Sequence, residues 1–330
     1  MNAATEPLPP GLRATALTWL AVVLIGLVAA WVYWPGIQGP ELLDDRSSIL
    51  VVEDLRDQQE RAMDYVFGNR SGLLGRPVSM STFVLERLFL GDELVVSKRV
   101  NIVLHLLIGG LVIWLFSLLF RFLAVPGSTG LAVVLGALWL LHPFLVSTVL
   151  YVVQRMAMLS TLFMLLATLC YVYWRFALIR GDRGLLPFIL MPVFLVLGLL
   201  SKENAIVLVP ILLLMEVLWF QSVGKDGETI RWLKHVSWGL IFSGSVALLA
   251  LFLWRFDSLT AQYDRRPFSM DERLLTQSRI LWDYVGQWVW PDPARMGIYH
   301  DDVLISTGLT DPRSTLFAVL AWLATLVAGG

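Results

Sequence analysis

Two adjacent carboxylates, Asp44 and Asp45, stand in the stretch GPELLDDRSSIL, within a dozen residues of the end of the apolar run LTWLAVVLIGLVAAWVYW. Like charges side by side repel, so one carboxyl is pushed upward unless a cation compensates, and a partly shielded Asp of that kind is a better proton acceptor near neutral pH. The same oxygens suit a hard divalent ion such as Mg or Mn. For an isolated pair the plainer reading is solubilising charge, and the rest of the chain has to overturn it. Arg155 follows Gln154 at a predicted helix start, where guanidinium and helix dipole both favour phosphate. Lys202, next to Glu203, offers a point charge. Taken singly, either cation also reads as an interfacial side chain. Asn101 and His105 are four residues apart and share a helical face, lining a cavity or bonding between helices. His142 precedes Pro143 at a helix end, as a cap first and a catalytic group second.

The elements that must position these groups are membrane helices. The chain has 330 residues, 57% hydrophobic and 15% charged, with 14 Trp. Its mean hydropathy is +0.70, outside the range of soluble domains, so it reads as an integral membrane protein in contact with membrane lipids. The net charge is −1 and no basic block is interleaved with aromatics, which excludes nothing local but predicts no nucleic-acid partner. A single cysteine, Cys170, excludes an intramolecular disulfide and a multi-cysteine metal site. Residues 1–14 form a loose tail, and the first apolar stretch reads as a retained helix rather than a cleaved signal.

Eight apolar runs pass as spans, at 15–34, 99–120, 129–147, 156–174, 185–200, 204–220, 237–254 and 314–330. SKEN, residues 201–204, makes the fifth and sixth a tight hairpin. Arg13, Arg121, Arg175, Arg180, Arg183, Lys225, Arg231 and Lys234 fall in one set of short segments, against Arg155 and Lys202 in the other. The basic set marks the cytoplasmic side and puts the N-terminus inside. Residues 35–98 and 255–313 then lie outside, on the face that holds Asp44, Asp45, His142, Gln154, Arg155, Lys202 and Glu203. In the first of these, VVEDLRDQQERAMDYVF predicts a surface helix with Leu55, Ala62, Met63, Val66 and Phe67 on its apolar side. GNRSGLLGRPVSMSTFVLERLFLG predicts a glycine-punctuated loop and then a short helix. DRRPFSMDERLLTQSR reads as a charged loop, and Glu216 as a residue of the cytoplasmic interface.

Outside the cytoplasm no nucleotide sugar is at hand, so a transferred group must arrive activated in the membrane. No Walker A loop and no G-x-G-x-x-G after a strand is present. Transfer from a polyprenyl phosphate needs a carboxylate for the acceptor's proton, a cation for the departing phosphate, and a groove for the lipid. Asp45 or Asp44 suits the first role, with a weak preference for Asp45, and Arg155 and Lys202 suit the second.

In order along the chain, the acidic pair, RPVSMSTF, KRVNIVLHLL, LHPFLVSTVLYVVQRMAMLSTLF, SKENAIVLVPILLLMEVL and ERLLTQSRILWDYVGQWVWP together resemble the GT-C membrane glycosyltransferases. The branch most like it contains the transmembrane and tetratricopeptide-repeat O-mannosyltransferases and their bacterial relatives. The likeness covers most of residues 30–310. It implies an all-α polytopic module over 15–330 and a polyprenyl-phosphate-linked sugar donor. It also implies inversion at the anomeric carbon, a first-loop Asp as base, and a protein or glycan acceptor outside the cytoplasm. It carries the family's acidic pair to Asp44 and Asp45, its R-P element to Arg76 and Pro77, its arginine after the H-P turn to Arg155, and its K-E pair to Lys202 and Glu203. The chain departs from the pattern twice. It ends at LATLVAGG, where relatives continue with more spans and often tetratricopeptide repeats, and the turn between the third and fourth spans lacks the second acid of some members. The bacterial leaning of the likeness points to an inner membrane. Two other classes stand beside this reading: a transporter or flippase of a lipid-linked substrate, which would place charge near the bilayer midplane, and a non-catalytic membrane scaffold.

Overall fold

The computed structural model describes residues 12–45, 60–69, 72–91, 93–297 and 303–329. Among these the chain is all α, and five helices are long and apolar enough to cross a bilayer: Ala16–Gln38, Leu94–Phe122, Val152–Arg180, Glu203–Phe220 and Arg231–Ala261. The chain is a membrane protein of the all-α class. A sixth crossing results if Ser128–Leu140 and Pro143–Leu150, bent by 50° at their junction, count as one. Against the eight spans expected, Leu185–Ser201 and Ser314–Ala328 are apolar but short. At ~1.5 Å per residue, a helix of that length falls several ångströms short of a ~30 Å hydrocarbon core.

The chain divides into two compact units, residues 1–234 and 235–330. The first opens with α1 (Leu12–Tyr33), which Pro35 converts to a 3-10 turn over Trp34–Gln38. Its Leu17, Leu20, Leu24 and Leu27 are exposed, as lipid-facing side chains should be. Two short helices follow, α2 (Glu60–Phe67) and α3 (Pro77–Phe89). The surface helix expected here is present in its second half, with Val66 buried and Met63 and Phe67 exposed; Leu55 lies outside the described residues. The glycine-punctuated loop and the short helix after it are found as expected.

The core of the first unit is built on α4 (Leu94–Phe122), α5 (Ser128–Leu140) and α7 (Arg155–Arg180), with α6 (Val146–Leu150) between α5 and α7. Close approach of α4 and α5 depends on two glycines. A Cβ on Gly109 would overlap Leu140, and one on Gly136 would overlap Ile113. Tyr33, Ile102, Ile108, Val149 and Met158 join α1, α4, α6 and α7 in one buried cluster. α8 (Leu185–Ser201) returns along α7 and turns sharply at Lys202 into the 3-10 turn Glu203–Val207 and α9 (Leu208–Met215); it packs along α7 rather than against α9, so SKEN makes a sharp turn without a packed hairpin. A π-helical turn over Glu216–Phe220 ends that arm.

α10 (Arg231–Ala261) leads into the second unit, which contains α11 (Met270–Val289) and α12 (Ser314–Gly329). The stretch expected as a charged loop is mostly helix. Ser269 accepts from Glu272 N at 3.2 Å while Glu272 accepts from Ser269 N at 2.7 Å, a reciprocal cap that starts α11. Trp282 and Trp322 pack with ring centroids 4.7 Å apart and join α11 to α12.

Candidate functional site

The turn after α1 assigns its two carboxylates opposite roles. Asp45 is fully enclosed. Its Oδ1 accepts from Val153 N at 2.8 Å and its Oδ2 from Leu42 N at 3.1 Å, which ties the turn to the segment entering α7. Burial raises its carboxyl above the usual carboxylate range, opposed by the backbone N–H groups of Val153, Leu42 and Val152 and by Lys98. Lys98, on the first turns of α4, donates to Gly39 O at 2.6 Å and Pro40 O at 3.1 Å and so pins the same turn. Asp44 is exposed. Its backbone N–H donates to the Tyr151 hydroxyl at 3.1 Å, and that hydroxyl also meets the Asp44 carboxylate, while burial raises the phenol above its ordinary range. The carboxyl weakly preferred as proton acceptor, Asp45, is an anchor with both oxygens engaged, and Asp44 is the exposed carboxylate of the pair.

Arg155 is not presented to an outside anion. It is 1% exposed, bonds Asn101 Oδ1 at 2.9 Å and Ser97 O at 3.0 Å, and pairs with Glu86 at 2.6 Å. Its guanidinium also lies 4.4 Å from the centre of the Phe83 ring. The phosphate role expected of it is thus replaced by an architectural one, because Glu86, on a neighbouring helix, already neutralises it. Ser97 donates to Glu86 as well. Asn101 bonds the Val149 carbonyl at 3.1 Å, and His105 meets Leu140 O at 2.9 Å between the rings of Tyr33 and Trp139. Both are buried interhelical links that line no open cavity. His142 caps the Pro143 turn by accepting from Phe144 N at 3.2 Å, as the first of its two readings has it. Gln154 is half-buried at the residue before α7.

Of the cations expected at the site, Arg76 and Lys202 are partly accessible. Arg76 takes a left-handed backbone, φ 54°, directly before α3, a conformation that costs a non-glycine residue ~1 kcal/mol or more. Its guanidinium reaches Glu203 at 3.1 Å and Met156 Sδ at 3.4 Å. Gly72, φ +72°, lets the preceding loop pass over Glu203, since a Cβ there would fall on the Glu203 carboxylate. The Lys202 ammonium is half-buried, and burial first and Arg76 second hold it below the usual lysine range, with Glu203 opposing. These groups share a support with the acidic turn. Asp45 holds Val153, Arg76 touches Met156, and Ser160 donates to Lys202 O at 3.4 Å and Asn204 Oδ1 at 3.0 Å. Their anchor points therefore fall within about two helical turns, on the order of 10 Å, at the start of α7.

Both Asp45 oxygens accept backbone N–H groups, and among the described residues no three His, Cys, Asp or Glu side chains gather as ligands. Sequence reasoning missed Glu86, Ser97, Lys98 and Tyr151. The signal for Glu86 and Lys98 was a charged residue beside an apolar run, in VLERLF and SKRVNIVL; nothing in LYVVQR singled out Tyr151. Comparison with protein-family models, with curated proteins and with solved structures found no match to this chain.

Proposed function

We propose that the chain is an inverting glycosyltransferase. It would move a sugar from a polyprenyl-phosphate-linked donor to a protein hydroxyl or glycan outside the cytoplasm, from a membrane such as a bacterial inner membrane, with its N-terminus cytoplasmic. The observation that carries this reading is the division within the acidic pair. Asp45 is engaged by backbone on both oxygens, which leaves Asp44 exposed beside Tyr151. In this reading the acceptor hydroxyl gives its proton to the Asp44 carboxylate as its oxygen bonds to the anomeric carbon. The bond from that carbon to the donor phosphate breaks, and its electron pair stays on the polyprenyl phosphate. A single displacement inverts the carbon. Arg76 and Lys202 meet the released charge. An ammonium held below its ordinary range by burial and by the neighbouring Arg76 charge gains from an arriving phosphate. Glu203 orients Arg76, and no step is routed through a metal.

The test uses the purified protein in lipid nanodiscs with a radiolabelled polyprenyl-phosphate sugar. Wild type transfers label to acceptor, and Asp44→Asn lowers the rate by ~10²-fold or more. Full activity in Asp44→Asn would sink the base assignment. Donor crossing between leaflets without a covalent product would instead favour a transporter.

A further inference from the structure

The second unit contains a cleft of 610 Å³, between the last turns of α10 and the start of α11, that the acidic turn and its cations do not use. Its lining changes character along its length. Phe252 and Phe256 stand on the candidate span Arg231–Ala261, whereas Asp264, Arg266, Phe268 and Asp271 lie beyond the end of that span. An apolar wall that starts on a membrane helix and a polar mouth at its end match a molecule with a chain and a head.

The polar mouth carries both signs: Asp264, Asp271 and Glu272 line it together with Arg266. Arg266 lies against two rings, 5.6 Å from the centre of Tyr263 and 5.9 Å from that of Phe268, and Arg273 lies 5.9 Å from Tyr263. Stacked guanidiniums of this kind keep their N–H edges for an oxyanion. Glu272 is engaged in the cap of α11, which leaves Asp264 and Asp271 for a cation. A head with one phosphate and one ammonium satisfies both sets. A purely anionic head meets two carboxylates, and a soluble zwitterion makes no use of the phenylalanine wall.

We propose that this cleft binds a zwitterionic amino-phospholipid of the phosphatidylethanolamine type. The phosphate lies on the edge of Arg266, the ammonium on Asp264 and Asp271, and the first acyl carbons along Phe252 and Phe256. The site stands independently of any transferase activity.

Native mass spectrometry of the full chain in detergent, titrated with dioleoyl-phosphatidylethanolamine, -phosphatidylcholine and -phosphatidylglycerol, tests it. The ethanolamine lipid should bind about tenfold tighter than the other two, because choline has no N–H to donate and glycerol no positive charge. Asp271→Asn should reduce that preference to about twofold or less, Arg266→Ala should weaken all three lipids by a similar factor because all three carry the phosphate, and Arg180→Ala, in the first unit, should leave affinity and preference intact. If Asp271→Asn does not fold, Asp264→Asn takes its place. Equal binding of the three lipids, a preference for phosphatidylglycerol, an ethanolamine preference that survives loss of the aspartate, or affinities unchanged by Arg266→Ala would overturn the assignment.

Discussion

The two ends of α7 each enclose a guanidinium, and they hold it for different purposes. At the N-terminal end, Arg155 takes Glu86 from α3 and Asn101 and Ser97 from α4, so one side chain joins α7 to two helices that lie far before it in sequence. At the C-terminal end, Arg175 takes Glu216 at 2.8 Å and Val223 O at 2.8 Å, over the Phe220 ring. Glu216 is bonded in addition by Tyr171 and by Ser222 N. Those partners are nearly all local to the π-helical turn and to Gln221 and Ser222, both left-handed at φ 49° and 54°. The first ion pair ties helices together, and the second holds one strained turn. Arg76 with Glu203 is a third arrangement, with 22% and 25% of the side chains exposed, and of these three pairs it is the one an arriving molecule can reach.

The largest effect should come from breaking the first pair. Arg155→Ala leaves Glu86 charged and buried, a loss of ~3–5 kcal/mol, read as a lower midpoint in thermal unfolding in detergent and as loss of folded protein on size exclusion. The double change Arg155→Met with Glu86→Leu removes both charges and should recover most of that loss. A double variant as unstable as Arg155→Ala would mean that packing, not charge, holds this end.

Glu216→Gln should come next, at ~3 kcal/mol. The comparison predicts where this loss appears. Amide hydrogen exchange should rise over residues 216–223 while the ends of α3 and α4 stay protected. Faster exchange throughout the first unit would refute a local role for this pair.

These pairs also show what was legible in the sequence and what was not. The long spans could be read because a bilayer demands about twenty apolar residues per crossing, and a sharp turn could be read from the short polar link SKEN. Arg175 could be read only as a basic anchor at a helix end, because Glu216, its partner, lies 41 positions on along the chain and composition carries no distance. Glu86 was hidden in the same way. Within the candidate site, the positions of Asp44 and Asp45 were plain, but which of them turns inward depends on Val153 N, a backbone group that residue type does not encode. The cap on α11 is the opposite case. Ser269 and Glu272 have the spacing of a reciprocal cap, and the surrounding charges obscured it.

Arg76→Ala should alter stability by no more than ~1 kcal/mol, since the pair is partly exposed and water replaces much of it. Its effect belongs to binding. Under the proposed function, the KM for the lipid donor should rise with kcat changed less, whereas Arg155→Lys should leave KM in place and lower only the apparent kcat, through the amount of folded enzyme. A donor KM unchanged in Arg76→Ala would move the phosphate contact to Lys202 alone.

The smallest effect is a pH slope that separates the enclosed acid from its exposed neighbour. The Asp45 carboxyl is raised in the folded chain, so between the unfolded value, ~3.9, and its folded value the native state holds more protons than the unfolded one. Stability from this group is therefore fully present below the unfolded value and is lost as pH rises through the folded one. Asp45→Asn has no such titration, and comparing the two proteins cancels every other group. The wild-type unfolding midpoint minus that of Asp45→Asn should fall as pH rises from about 4 through the folded value and then level off. A difference for Asp45→Asn that grows with pH would mean that the N–H groups of Val153 and Leu42, with Lys98, outweigh burial, and that the ionised acid is what the turn is built to hold.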